Sequence, residues 1–176
     1  MLEFRDVTFQ YEEDEFPMVT NLSFSVNDGE FVSVIGASGC GKSTLFRLIN
    51  GLEKPQSGEI LVNGVSIEKQ KNYSSFMPQK DLLLPWRTIE KNVCLPMEIM
   101  KVPKTEQEEK CREALKQVGL IDYIDKYPKD LSGGMKQRVA FARTLLAGSR
   151  FQRLIILQGL ICRNGFLPNG RIQERQ

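Results

Sequence analysis

Phe31-Val32-Ser33-Val34-Ile35-Gly36-Ala37-Ser38-Gly39-Cys40-Gly41-Lys42-Ser43-Thr44 is the stretch that decides the fold. A short β-branched run stops at Gly36, and Ser43 to Asn50 reads as a helix with Gly51 near its end. Glycines at 36, 39 and 41 permit backbone angles, and an approach to a ligand, that a Cβ would block. Successive amide N–H groups can then ring a phosphate at the positive end of the following helix. In such a loop Lys42 reaches between a β- and a γ-phosphate, the Ser43 hydroxyl is placed to ligate Mg²⁺, and Thr44 would hydrogen-bond near the α-phosphate. The competing reading is a glycine turn before a helix with an incidental lysine, and the strand and helix on either side argue against it.

Further along, Leu131-Ser132-Gly133-Gly134-Met135-Lys136-Gln137-Arg138 carries a related logic. A serine hydroxyl and two glycine amides at a helix N-terminus make a second anion site. Alone, Ser-Gly-Gly is explained equally well as a helix cap. Downstream of a complete phosphate loop and followed by Lys-Gln-Arg, it resembles the signature of the ATP-binding subunit of an ABC transporter.

That resemblance implies an α/β fold of the P-loop type: an antiparallel β subdomain, a parallel core and an inserted helical subdomain. It also implies ATP and Mg²⁺ as ligands. The binding set it carries over is Tyr11, Gly36, Ser38, Gly39, Cys40, Gly41, Lys42, Ser43, Thr44, Gln79, Ser132, Gly133 and Gly134. Lys42, Gln79 and Ser132 are the catalytic candidates, and Ser43 and Gln79 the magnesium ligands. Tyr11 matches the aromatic that stacks on adenine; an ordinary strand-end tyrosine is the alternative. Ser132 with its glycines would cap the γ-phosphate of ATP held by a second ATP-binding subunit in a head-to-tail pair. Asp81-Leu82-Leu83-Leu84-Pro85-Trp86-Arg87-Thr88 looks like the loop of importers of the nitrate, sulfonate and taurine type. Leu84, Pro85 and Trp86 would then dock a membrane permease, placing the chain peripherally on the cytoplasmic side of the cell membrane. Core packing of Trp86 is the alternative.

The resemblance runs from Leu2 to about Ser149 and then fails. The family follows four apolar residues with Asp-Glu, whereas this chain reads Arg153-Leu154-Ile155-Ile156-Leu157-Gln158-Gly159, with no acid until Glu174. Gln158 and Gly159 cannot act as carboxylates, and the family's later histidine has no counterpart in a chain without histidine. We therefore divide the sequence into an ATP-binding domain at 1–149, with its helical subdomain at about 81–146, and an aberrant tail at 150–176 that leaves the fold incomplete. The tail reads as a reading-frame shift would give, and sequencing error, a decayed gene and real divergence all fit it. ATP hydrolysis follows from the family likeness, the general base is absent, and a non-catalytic ATP-binding chain or a soluble ABC protein outside transport are the other readings.

Composition narrows the classes. With 176 residues the chain can bury one sizeable core. Charged residues make up 26% and nearly cancel at +2, so no basic field points to nucleic acid. No apolar run approaches the roughly 20 residues that span a bilayer, and the acidic start Met1-Leu2-Glu3-Phe4-Arg5-Asp6 lacks a signal-peptide layout. Cys40, Cys94, Cys111 and Cys162 have no metal-ligand spacing and read as reduced small fillers.

The remaining punctuation supplies the elements. Leu2 to Phe9, Leu22 to Val26 and Glu59 to Val62 read as antiparallel strands separated by turns. From Pro103 to Gly119 the spacing predicts a helix with Cys111, Ala114, Leu115 and Val118 on one face. A second helix should be capped by Ser132 and bury Met135, Val139, Ala142 and Leu146, with Gly148 just past its end.

Overall fold

The computed structural model describes residues 1–71, 73–78 and 80–147, with the backbone alone of 155–157 and 160–162. β1 (Leu2–Phe9) alternates buried and exposed positions until Asp6, where the alternation slips by one residue. Asp6 adopts a φ of 48°, and the pairing of β1 with β2 (Val19–Val26) and with β4 (Ser57–Val62) shifts register around it. This bulge lets Leu2 and Phe4 on one side of it, and Val7 and Phe9 on the other, face the same core. Gly58 makes the close approach possible, because a Cβ there would run into the carbonyls of Arg5 and Asp6. β4 returns through Asn63-Gly64, both at positive φ, to the short β5 (Val65–Ser66), and the sheet order is β2-β1-β4-β5, antiparallel throughout.

The second sheet holds β3 (Phe31–Ser33), β6 (Ser75–Met77), β7 (Ile155–Leu157) and β8 (Leu160–Cys162) in the order β3-β8-β7-β6. β6 and β7 run parallel, whereas β8 is antiparallel to both β7 and β3. The parallel part of the core is thus the β6–β7 pair among the described residues, and β8 separates it from the strand that leads into the glycine loop.

α1 (Lys42–Ile49) lays Phe46, Leu48 and Ile49 against Leu2, Phe4, Val7, Ile60 and Val62 of the antiparallel sheet. A separate core joins α2 (Ile89–Ile99), α3 (Lys104–Gln117) and α4 (Gly133–Ala147) through Ile89, Val93, Met97, Leu115, Val139 and Ala142. α1 and α3 end as the glycines foretell: Gly51 and Gly119 take left-handed angles, while Leu52 and Leu120 donate back to Arg47 and Leu115 at 2.9 and 2.8 Å. α2 gives no such signal. It contains Pro96, and the left-handed residue that closes it is Lys101, at a φ of 56°, with Val102 donating to the Met97 carbonyl at 3.0 Å.

The reading of the cysteines as all reduced is corrected. Cys94 of α2 and Cys111 of α3 form a disulfide between facing helices, their Cα atoms 5.9 Å apart, inside the range a disulfide bridges. That pairing could not be read from spacing, because it exists only once α2 and α3 fold back on each other. Cys40 is a free thiol, and the Cys162 side chain lies outside the described residues, as does Gly148.

Two stability measurements check these contacts. An L-residue in left-handed geometry costs about 1–2 kcal/mol, offset by roughly 0.4–1 kcal/mol of extra unfolded-state entropy when glycine replaces it. Lys101→Gly should therefore stabilise the chain by about 0.5–1 kcal/mol in urea unfolding, and a loss of stability would contradict the observed α2 terminus. Tyr73 lies close to Gly51 with its buried hydroxyl unpartnered among the described residues, and burial pushes the phenol up to about 12. A value raised above the unfolded value of roughly 10 gives stability that is complete below pH ~10 and lost as pH climbs towards ~12. The melting temperature of Tyr73→Phe should fall less than that of the parent over that interval, and equal falls would exclude Tyr73 as the source.

Candidate functional site

The loop between β3 and α1 is built around two left-handed glycines, Gly39 at a φ of 82° and Gly41 at 87°. Gly41 also heads α1, and a Cβ there would press to 3.2 Å from the Met18 side chain and 3.3 Å from its carbonyl oxygen. A side chain at 41 would thus be both strained and crowded. Gly36 is confined differently, since its Cβ would sit 2.5 Å from the Cys40 sulfur. The Lys42 side chain turns back over the loop, and its ammonium donates to the Gly36 carbonyl at 2.7 Å and the Ala37 carbonyl at 2.6 Å. One cation therefore closes the loop on itself, beside the positive end of a helix whose first turn carries no acid. Ser38, Gly39, Cys40 and Ser43 are all exposed at this mouth.

Tyr11, distant in sequence, arrives at the same place. Its hydroxyl lies 3.2 Å from the Oγ1 of the buried Thr44, and its ring meets Phe9 edge-on at 4.8 Å. The structure therefore brings together Tyr11, the glycine loop, Lys42 and Thr44. Thr44 itself is buried behind the mouth.

Ser132, Gly133 and Gly134 belong to the other packing unit, exposed at the head of α4. The Ser132 hydroxyl accepts the Met135 N–H at 3.3 Å, so the capping reading and the exposed N-terminus coexist. Arg138 ties this helix to the end of α3 by donating to the Val118 carbonyl at 3.1 Å. Gln79 lies outside the described residues. It is bracketed by β6, which ends at Met77, and by Asp81, whose carbonyl accepts from Arg143 at 2.7 Å.

After Gln79, Leu83 turns inward, Leu84 is half-buried, and Trp86 is 72% exposed, which sets aside its core-packing alternative. Sequence reasoning missed Asn92 here. It is fully buried in α2 and holds Leu84 from both sides, accepting its N–H at 2.7 Å and donating to its carbonyl at 3.1 Å. The signal available was an amide side chain set in an apolar run, Asn92-Val93-Cys94-Leu95, but with Pro96 following, no helix was expected to carry it. Gln158 and Gly159, where the family's acids would stand, are outside the described residues, and among the described residues no group of three His, Cys, Asp or Glu side chains could hold a metal.

Comparison with known proteins agrees with this geometry. The chain is 41% identical over 78% of its length to the uncharacterized ABC transporter ATP-binding protein MJ0412 of Methanocaldococcus jannaschii. It is 42% identical over 83% of its length to the formylaminopyrimidine import ATP-binding protein ThiZ of Halalkalibacterium halodurans. Those stretches cover 51% and 56% of the two relatives, so the chain spans about half the length of the curated relatives it matches. Among solved structures it resembles the ATP-binding cassette MJ0796 in a dimeric post-hydrolysis state bound to ADP and Pi, with a TM-score of 0.73 and 32% identity over 84% of this chain and 70% of that one. It also resembles CbiO1 of Clostridium perfringens, part of the transporter complex CbiONQ, with a TM-score of 0.77 and 27% identity over 89% of this chain and 64% of that one. A family model described as ABC transporter matches residues 19–155, well over half of the sequence, and the chain belongs to that family.

Proposed function

We propose that the chain is the ATP-binding subunit of an ABC importer. The observation that carries the reading is the loop Gly36–Thr44, closed by the Lys42 ammonium at the head of α1 with Tyr11 at its edge. Phosphate oxygens would compete with the Gly36 and Ala37 carbonyls for that ammonium, and the amides from Gly39 onward would take the β-phosphate. Tyr11 would stack on adenine. Mg²⁺, when bound with the nucleotide, would supply charge neutralisation at the phosphates. Its protein ligands would be the exposed Ser43 hydroxyl and Gln79, a donor set that suits an ion arriving with the nucleotide rather than one caged by carboxylates.

Ser132, Gly133 and Gly134 would serve a nucleotide held by a second ATP-binding subunit in a head-to-tail pair. Their place at the exposed head of α4, in a different packing unit from Lys42, supports this. Leu84, Pro85 and the exposed Trp86 would meet a membrane permease, which would hold the chain at the cytoplasmic face; among the described residues no helix is long and apolar enough to cross a membrane. The Leu-Leu-Pro-Trp stretch resembles the loop of importers of the nitrate, sulfonate and taurine type, which supports an importer of that type, and we keep the division into an ATP-binding domain at 1–149 and a tail at 150–176.

A second reading, ATP binding without turnover, is favoured by one specific feature. β7 runs parallel to β6 with Leu157 opposite Met77, and the sequence then continues with Gln158-Gly159 in place of two acids. A missing base of this kind is worth about 10²–10⁴-fold in rate. The purified chain should therefore hydrolyse Mg-ATP no faster than its Lys42→Ala variant in a phosphate-release assay. Robust turnover abolished by Lys42→Ala would mean that another carboxylate has taken the role.

Binding is tested separately. Lys42→Ala removes a charged donor to the phosphates and should weaken Mg-ATP binding by roughly 1.5–3 kcal/mol, tenfold or more, in a calorimetric titration. Equal affinity for variant and parent would overturn the assignment of the loop.

A further inference from the structure

The segment from Asp81 to Thr88 is fastened from two helices by polar side chains that nucleotide binding does not use. From α4, Arg143 sets its guanidinium against two successive carbonyls: Nη1 donates to Leu82 at 2.9 Å and Nη2 to Asp81 at 2.7 Å. Burial pulls this guanidinium below its ordinary pKa, with the Asp81 carboxylate opposing. From α2, Asn92 accepts the Leu84 N–H at 2.7 Å, and its amide nitrogen lies 3.1 Å from the carbonyls of Leu84 and Arg87. At the Arg143 anchor itself, Leu82 adopts a left-handed φ of 45° and leaves its side chain exposed. A leucine keeps such a conformation only where its surroundings hold it. The Arg87 side chain is engaged as well, donating to Glu98 at 2.7 Å.

We propose that Arg143 and Asn92 form a two-point clamp that fixes the shape of the Asp81–Thr88 segment, with Arg143 a positioning residue that ties the segment to the helix headed by Ser132. The planar fork is the reason an arginine stands here. Two consecutive carbonyls bent towards one point by Leu82 can each be given their own donor nitrogen by one planar guanidinium, Nη1 and Nη2, whereas a lysine ammonium, as Lys42 does in its loop, serves two carbonyls from a single rotatable centre on a more flexible stem. The use made of the clamp rests on the proposed docking role of Leu84, Pro85 and Trp86. The clamp itself does not.

Trp86 is the single tryptophan of the chain, so its emission anisotropy reports on this segment directly. The full chain, Arg143→Lys and Arg143→Met are compared without nucleotide, by Trp86 anisotropy and by amide hydrogen exchange. In Arg143→Met the anisotropy should drop and the amides of Leu84 and Arg87 should exchange at least tenfold faster, while those of Val93 in α2 and Val139 in α4 keep their protection. Arg143→Lys should fall between variant and parent, and it carries the test alone should Arg143→Met fail to fold. Unchanged anisotropy and exchange would overturn the clamp, as would protection lost equally across α2 and α4, which would mark Arg143 as a general stabiliser. Full recovery in Arg143→Lys would overturn the two-nitrogen basis. A separate Mg-ATP titration of the parent distinguishes the two proposals: failure to bind would end the nucleotide reading, whereas the clamp is judged on readouts that need no ligand.

Discussion

Burial of α1 against the antiparallel sheet is the constraint on which the site depends. Phe46, Leu48 and Ile49 are essentially inaccessible, packed on Leu2, Phe4, Val7 and Ile60. Side chains of this size each contribute about 1.5–3 kcal/mol on removal from water, so the helix cannot rotate without exposing them. A fixed helix means a fixed helix N-terminus, and the loop between β3 and α1 must close the distance within the few residues from Gly36 to Gly41. Left-handed angles at Gly39 and Gly41 meet that demand, and the Lys42 ammonium then stitches the loop's start to its end. The anion-receptive helix N-terminus is thus a consequence of the packing behind it.

What was legible in the sequence follows from which residues had no alternative. Glycines at 39 and 41, at 51 and at 119 mark positions where the backbone turns left-handed, and each lies where the loop or helix end was expected. The helix α2 was invisible for the opposite reason. Pro96 argues against a helix interior, yet it sits in α2, and Lys101 ends the helix in a geometry usually given to glycine. Tertiary burial of Ile89, Val93 and Met97 overrides both local preferences. The disulfide, the Asp6 bulge and the contacts of Asn92 and Arg143 were illegible together with it, since each depends on which segments fold against each other rather than on local pattern.

The two cores give the molecule its division of labour. Lys42, Thr44 and Tyr11 are anchored to the sheet core, whereas Ser132 and the exposed Trp86 are carried by the three-helix core. Within that second unit α4 presents Ser132 at its head, while Arg143 further along grips the segment that bears Trp86. In the proposed reading, a surface facing a second subunit and a surface facing a permease are therefore fixed to one rigid helix.

β7 forms without regard to the residues that follow it. Ladder hydrogen bonds are made by backbone groups, and an apolar run such as Ile155-Ile156-Leu157 has the β-branched character that favours a strand. Nothing in that pairing depends on the residue that follows. Parallel pairing with β6, Leu157 beside Met77, is therefore compatible with a following glutamine as readily as with the acid that the proposed reading expects there. In the proposed reading nucleotide binding would rest on the Gly36–Thr44 loop and on Lys42, which lie apart from β7, whereas hydrolysis would need a carboxylate held at the end of a strand. In the proposed reading the two properties are carried by separate parts of the chain, so a chain without the carboxylate would still bind nucleotide.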